Sequence, residues 1–210
     1  MNTGGDTGQA DRWLHPERLE RVLIHRSRYA EPNVHPRAAV AAVFVHTHDD
    51  VELLFIQRAA APGDPWSGQM AFPGGRHEAT DADSFATATR ETLEEIGLDL
   101  SPARSLGSLD HLDGGRATNR PIAVSGHCFW LTERPSDLVL SDEVADVVWV
   151  KVRDLLDQRR YIDYVYPRTG MTFPGIQLDL PHQVVWGLTL RFLGDLFARL
   201  EHPFLIGPER

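Results

Sequence analysis

The stretch Gly74–Leu98, GGRHEATDADSFATATRETLEEIGL, constrains this chain more than any other. It joins two glycines, an acidic loop and a carboxylate-rich segment of helical spacing. The glycines can take backbone angles closed to other residues and let a ligand approach the main chain. Asp81 or Asp83 is placed to cap the segment that follows, and Gly97 is a natural stop, so the pattern predicts a helix over Ser84–Ile96.

On that helix Glu91 and Glu95 are four residues apart, on one face and about 5–6 Å from each other at Cβ, where like charges repel. A cation between them would relieve the repulsion. Mg2+ prefers carboxylate oxygens, keeps several waters and bridges to substrate phosphates, which makes this face a candidate metal site. Glu94 lies beside the pair, and Arg90 stands four residues before it at ion-pair spacing. In an arbitrary protein such a helix is an ordinary solvated face. The run Phe72-Pro73-Gly74-Gly75 just upstream argues for chemistry instead.

Gly75, Asp81 and the run Arg90-Glu91-Thr92-Leu93-Glu94-Glu95-Ile96-Gly97-Leu98 resemble the signature box of the Nudix hydrolases. That box is a glycine, a spaced acid, Arg-Glu, an aliphatic and a variable residue, Glu-Glu, a variable residue, Gly and an aliphatic residue. The chain departs from it in three places. Fourteen residues separate Gly75 from Arg90, one more than usual, the first acid is Asp81 rather than Glu, and Thr92 replaces an aliphatic residue. The resemblance implies an α/β fold, the Nudix fold, in which a mixed β-sheet is sandwiched between α-helices as an α/β/α sandwich. It also implies Mg2+ or Mn2+ held by Glu91, Glu94, Glu95 and the Gly75 carbonyl, with Arg90 orienting the glutamates. The proton acceptor would be Glu94 or, outside the box, Glu143 in Ser141-Asp142-Glu143, whose alternative is a plain capping role.

The longer loop is similar to one branch of that family, the coenzyme A diphosphatases. Phe72-Pro73-Gly74-Gly75-Arg76, Thr87-Ala88-Thr89-Arg90-Glu91, Ser67-Gly68-Gln69-Met70-Ala71 and Trp186-Gly187-Leu188-Thr189 echo it. So does part of its upstream motif, in Leu53-Leu54-Phe55, Arg58-Ala59 and Gly68, although the motif's second Arg has no counterpart between Ala60 and Trp66. This resemblance implies Arg58, Gly68, Gln69, Gly74 and Gly75 as substrate contacts. Three readings follow. The first is hydrolysis of coenzyme A or acyl-CoA to 3′,5′-ADP and (acyl-)phosphopantetheine. The second is the same chemistry on another nucleoside diphosphate derivative, such as ADP-ribose or a dinucleotide. The third is a non-catalytic nucleotide-binding module, against which the full glutamate set argues.

The remaining sequence frames this core. A length of 210 residues suits one domain, divided here into an N-terminal extension with a short helix, 1–36, and a hydrolase domain, 37–210. The net charge of −9, without a basic run, disfavours nonspecific binding to nucleic acid and means that an anionic substrate, the small-molecule nucleotide that the resemblance implies, would need local screening by a bound cation. The single Cys128 excludes an internal disulfide and lies in an apolar strand-like run, as a buried inert thiol does. The apolar run from Ala38 to Val45 is too short to cross a membrane, and the polar, Gly-rich start lacks signal-peptide character, so a cytoplasmic protein is expected.

Leu19, Val22 and Leu23 predict an amphipathic helix over Pro16–Arg28, for packing or for subunit contact in a homodimer. Strands are expected at Arg37–Thr47, Val51–Gln57, Leu106–Leu112, Ile122–Leu131 and Val144–Val150, with a short helix at Val152–Gln158. A hairpin around Arg168-Thr169-Gly170 and a final helix over Gln183–Leu200 complete the chain. His46 and His48 read as an exposed pair, Trp66 as a core-edge plug with ligand stacking as the alternative, and Arg116 and Arg120 as solvated charges with phosphate contact as the alternative.

Overall fold

A strand buried on both faces shows no alternation of apolar with polar residues, and Arg37–His46 is such a strand. Ala38, Ala42 and Phe44 enter one core while Ala39, Ala41, Val43 and Val45 enter another, so the sheet holding this strand must be covered on both sides. The computed structural model, which describes residues 13–33, 37–48, 50–62, 66–114, 121–202 and 204, has that arrangement. In chain order its elements are α1 (Pro16–Val22), β1 (Arg37–His46), β2 (Val51–Arg58), β3 (Met70–Ala71), β4 (Gly74–Arg76), α2 (Ser84–Ile96), β5 (Arg104–Ser108), β6 (Leu112–Gly114), β7 (Ile122–Leu131), β8 (Val144–Lys151), α3 (Val152–Leu155), β9 (Tyr161–Val165), β10 (Thr172–Gln177), β11 (Val184–Trp186) and α4 (Gly187–Arg199).

β1 runs parallel to β7 from Arg37↔Ala123 to Val45↔Leu131. Its other edge has two antiparallel partners in succession, β2 at Phe44–His46 and β4 at Ala38–Val40. β2 carries β8 on its far edge and, where it has left β1, pairs with β3. β1 and β2 therefore part like a fork, and the segment from β3 to β4 fills the gap. The Ala41 N–H seals it by donating to the Pro73 carbonyl at 2.9 Å. The glycine pair is thereby built into the central sheet.

α2 covers one face, where Ala88 and Ile96 pack with Val43, Leu54, Ile56 and Phe129. The other face is covered by α1, α3, α4 and a separate three-stranded sheet in the order β11-β10-β9, through Leu19, Leu155, Leu193, Ile176 and Val185. This is the mixed sheet between helices that the sequence predicts. Leu14 and Leu19 are fully buried in that second core, Trp13 stacks on His202 at 4.3 Å, and Arg18 Nη2 donates to the Leu200 carbonyl at 2.6 Å. The apolar face of α1 is thus used inside the chain.

Several expectations change. The helix foreseen over Pro16–Arg28 stops at Val22, because Ile24 pairs with Ser108 through two backbone bonds of 2.8 Å. The last helix begins at Gly187 rather than Gln183, since Val184–Trp186 pairs with Gly175–Gln177. The strand expected over Leu106–Leu112 divides into β5 and β6. Trp66 is 38% exposed, so it does not plug the core, and Arg116 and Arg120 lie outside the described residues. Cys128 is fully buried, and burial pushes its thiol up to about 12, which leaves it inert. Among the described residues no helix is long and apolar enough to cross a membrane.

Candidate active site

The two acids upstream of α2 have separate tasks. Asp83 is the N-cap, its side chain accepting from the Ala86 N–H, and Gly97 closes the helix with φ 69°. Asp81 instead grips Arg90, accepting from Nε and Nη2 at 2.9 Å each, and also takes the Thr87 hydroxyl at 3.0 Å and the Glu78 N–H at 2.9 Å. These bonds, with Arg90 the foremost, hold the Asp81 carboxyl well below the usual carboxylate range. Arg90 then distributes its remaining donors. Nη1 reaches Glu91 at 3.0 Å and Glu94 at 2.9 Å, and Nη2 reaches the Arg76 carbonyl in β4 at 2.9 Å. A guanidinium with five fixed donors is suited to such a hub.

Glu95 faces the sheet and is 4% exposed. Its Oε2 accepts from the Gly74 N–H at 2.8 Å, and Arg58 Nη1 stands 3.8 Å from its Oε1. Burial pushes its carboxyl up to about 7; the Gly74 N–H and Arg58 oppose this, while the charges of Glu91 and Glu143 add to it. Glu91 shifts upward as well, through burial first, with Arg90 opposing and Glu94 and Glu143 adding.

Both glycines are required for steric reasons. A Cβ on Gly74, whose φ is +150°, would lie 2.2 Å from the Ala39 carbonyl oxygen. One on Gly75 would lie 2.5 Å from the Glu91 carboxyl carbon, so this carboxylate rests directly on the Gly75 main chain. On the Arg58 side of Glu95 opens a cleft of about 300 Å3 lined by Arg58, Ala59, Ala60, Ala61, Asp142 and Glu143. Gly68, with φ +71°, and Gln69 lie at its base in sequence, exchanging backbone bonds with Arg58 at 3.1 and 3.0 Å. The Ala59 N–H donates to the Glu143 carbonyl at 2.8 Å and so ties the two sides together.

The structure thus brings Glu91, Glu95, Arg58, Gly74, Gly75 and Glu143 to one place. It does not close Glu91, Glu94 and Glu95 into a cage. Among the described residues no three or more His, Cys, Asp or Glu side chains stand close enough together to hold an ion, and Glu94, its side chain 58% exposed, is drawn off to Arg90. The donor chemistry nevertheless fits a hard cation. Glu95 is a buried carboxylate and Glu91 a half-buried one; they repel each other and Glu143, and a positive charge among them would offset these costs. Mg2+ and Mn2+, which accept carboxylate oxygens, suit a loose set of this kind, Mg2+ especially because it keeps several waters.

Sequence reasoning missed the support behind α2. Glu31, Ser84, His127 and Ser108 form a hydrogen-bonded row there, from residues far apart in the chain with no local signal.

The fold and site define an α/β/α protein whose carboxylate helix is set against a glycine pair in the central sheet. The NUDIX domain family matches residues 35–168, and the chain belongs to that family. It is 32% identical over 168 residues to the uncharacterised protein C14C4.10c of Schizosaccharomyces pombe, covering 65% of this chain and 51% of that one. The chain therefore spans about half the length of this relative. It is 28% identical over 185 residues to the uncharacterised Nudix hydrolase NudL of Salmonella newport, covering 87% and 92%. Among solved structures, a MutT/nudix family protein from Enterococcus faecalis superposes with a TM-score of 0.50 at 18% identity, over 78% of this chain and 54% of that one, a likeness of fold.

Proposed function

We propose that this protein is a divalent-cation-dependent hydrolase that cleaves the phosphoanhydride of coenzyme A or acyl-CoA, releasing 3′,5′-ADP and (acyl-)phosphopantetheine. The observation that carries the hydrolytic part is the placement of Glu91 and Glu95 against the glycine pair, one carboxylate on Gly75 and the other bonded to the Gly74 N–H. The coenzyme A part rests on the resemblance of Phe72–Arg76, Ser67–Ala71 and Trp186–Thr189 to that branch.

Mg2+ or Mn2+, when bound, supplies charge neutralisation of the diphosphate and acidifies a water. Glu91 and Glu95 would hold it, with the Gly75 carbonyl beside them. Arg90 orients Glu91 from behind, its own charge committed to Asp81, Glu91 and Glu94, while Glu95 is held by the Gly74 N–H and Arg58. Of the two candidate proton acceptors, Glu143 lines the cleft while Glu94 is turned to Arg90, which favours the Glu143 carboxylate as the group that takes the proton of the attacking water. Arg58, between Glu95 and the cleft, is placed to meet a phosphate oxygen.

One observation supports another nucleoside diphosphate derivative as substrate. Ala60 and Ala61 line the cleft in the segment where the coenzyme A motif has its second Arg, so the cleft lacks one expected phosphate contact. Incubating the protein with coenzyme A, ADP-ribose and a diadenosine polyphosphate, with and without Mg2+, and separating the products by chromatography tests the choice. Mg2+-dependent release of 3′,5′-ADP from coenzyme A, in preference to cleavage of the others, is expected. Cleavage of ADP-ribose or the dinucleotide alone overturns the coenzyme A reading, and no cleavage of any overturns both.

A further inference from the structure

The side of α2 that faces the sheet is unusually polar: Ser84, Thr87, Thr92 and Glu95 are buried there alongside Ala88 and Ile96. Apolar contacts are non-directional and tolerate a helix turning a little about its axis. Hydrogen bonds are directional and resist it. Thr92 bonds back to the Ala88 carbonyl of its own helix, so the rotation of α2, and with it the aim of Glu91 and Glu95, is set by the outside partners of Ser84, Thr87 and Glu95.

At the start of the helix that partner is Glu31. One of its oxygens accepts both the Ser84 N–H at 3.0 Å and the Ser84 hydroxyl at 2.6 Å, and the other is 3.5 Å from Arg37 Nη1 at the beginning of β1. Because the Ser84 hydroxyl donates its hydrogen bond to Glu31, its contact of 2.8 Å with His127 Nε2 has the imidazole as donor. His127 Nδ1 is then an acceptor and takes the Ser108 hydroxyl at 2.8 Å. A single tautomer satisfies the whole row from the N-terminal segment through α2 and β7 to β5. Two further contacts bind the same segment to the same end of α2: Arg26 pairs with the cap Asp83 at 2.9 Å and lies 3.9 Å over the ring of Phe85.

We infer that Glu31 is a positioning residue for the glutamates of α2, acting through Ser84, although it precedes the span matched by the NUDIX family. A rotation of about 10° moves a group at a helix's outer radius, roughly 5–6 Å, by about 1 Å. A misplacement of that size costs on the order of 100-fold in rate. Ser84 lies seven residues, close to two turns, before Glu91 and on the same face, so rotation freed at Ser84 is passed to the carboxylate. This inference rests on the reading that Glu91 and Glu95 serve the chemistry.

The test compares Glu31→Ala, Glu31→Gln and Glu31→Asp with the wild type, in kcat and KM on whichever diphosphate compound the wild type cleaves. A second readout, independent of turnover, is the rise in Tm on adding Mg2+. Gln keeps the reach and the acceptor without the charge, while Asp keeps the charge without the reach. The expected result is a kcat reduced about 10- to 100-fold in the Ala and Asp variants at nearly unchanged KM, a smaller Mg2+-induced rise in Tm, and recovery to within a few-fold in the Gln variant. Recovery by Asp and not by Gln overturns the inference in favour of a charge effect on the helix end, as does full kcat in a folded Ala variant. Should the Ala variant fail to fold, the contrast between Gln and Asp decides alone. A wild type with neither turnover nor a Mg2+-induced shift overturns the reading of the site itself, and this inference with it.

Discussion

Substituting alanine at each of the adjacent glycines should damage the protein in two different ways. At Gly75 the new methyl would lie 2.5 to 2.6 Å from the three terminal atoms of the Glu91 side chain. Ordinary carbon contacts are about 3.5 Å, so that carboxylate must retreat by roughly 1 Å. It is the far end of a flexible side chain, bonded to Arg90 Nη1, and its retreat costs the fold little. The loss of glycine's freedom in the unfolded chain contributes about 0.5–1 kcal/mol in the opposite direction. Gly75→Ala should therefore keep or slightly raise its Tm while losing on the order of 100-fold in kcat, about 2.7 kcal/mol of transition-state stabilisation. At Gly74 the new methyl would meet backbone, 2.2 Å from the Ala39 carbonyl oxygen and 2.6 Å from Val40 Cα, which cannot move without opening the fork between β1 and β2. Gly74→Ala should lose about 3 kcal/mol of stability or more. Thermal denaturation and steady-state kinetics on the two variants separate these outcomes. A Gly75→Ala protein with wild-type kcat would show that the position of the Glu91 carboxylate is irrelevant to the chemistry and would refute a catalytic role for Glu91.

Two further predictions concern buried groups. Glu95→Gln keeps an acceptor for the Gly74 N–H and removes a carboxyl that burial pushes up to about 7, so its Tm should not fall, while Mg2+-dependent turnover drops by about 100-fold or more; undiminished turnover would refute the cation assignment. His127 is held neutral by burial, pushed down to about 4 from 6.5 despite the nearby Glu31 and Asp83. Between these values the unfolded chain takes up a proton that the native protein refuses, so stability is complete above pH 6.5 and falls toward pH 4, by roughly 3 kcal/mol from this group. Urea unfolding at pH 7, 5.5 and 4.5 should show that slope, and His127→Asn should flatten it.

The helix that carries the glutamates was legible because its signals are local. Asp83, the polar and apolar spacing and Gly97 all act within a few residues, and the helix occupies Ser84–Ile96 as expected. The i,i+4 relation of Arg90 to Glu94 was legible for the same reason. Asp81 and Asp83 could not be told apart as caps, since what separates them is the position of Arg90 one helix turn and more away. Elements fixed by distant partners were misjudged. Ile24 leaves its helical pattern for Ser108, and Val184–Trp186, apolar in a way that suits either periodicity, is held as a strand by β10. Glu31 and His127 carried no signal at all, because their meaning lies in bonds to Ser84 across 53 and 43 positions of sequence.

The segment that leaves the sheet after Arg58 and rejoins it at Gly68 is clasped at its base by reciprocal main-chain bonds, and neither bond involves α2 or the glycine pair. The clasp holds Ala60 and Ala61 at the cleft wall apart from the carboxylate helix, while Ala59 stays bonded to the Glu143 carbonyl, so exchanges at Ala60 and Ala61 should alter what the cleft admits before they alter how Glu91 and Glu95 are held.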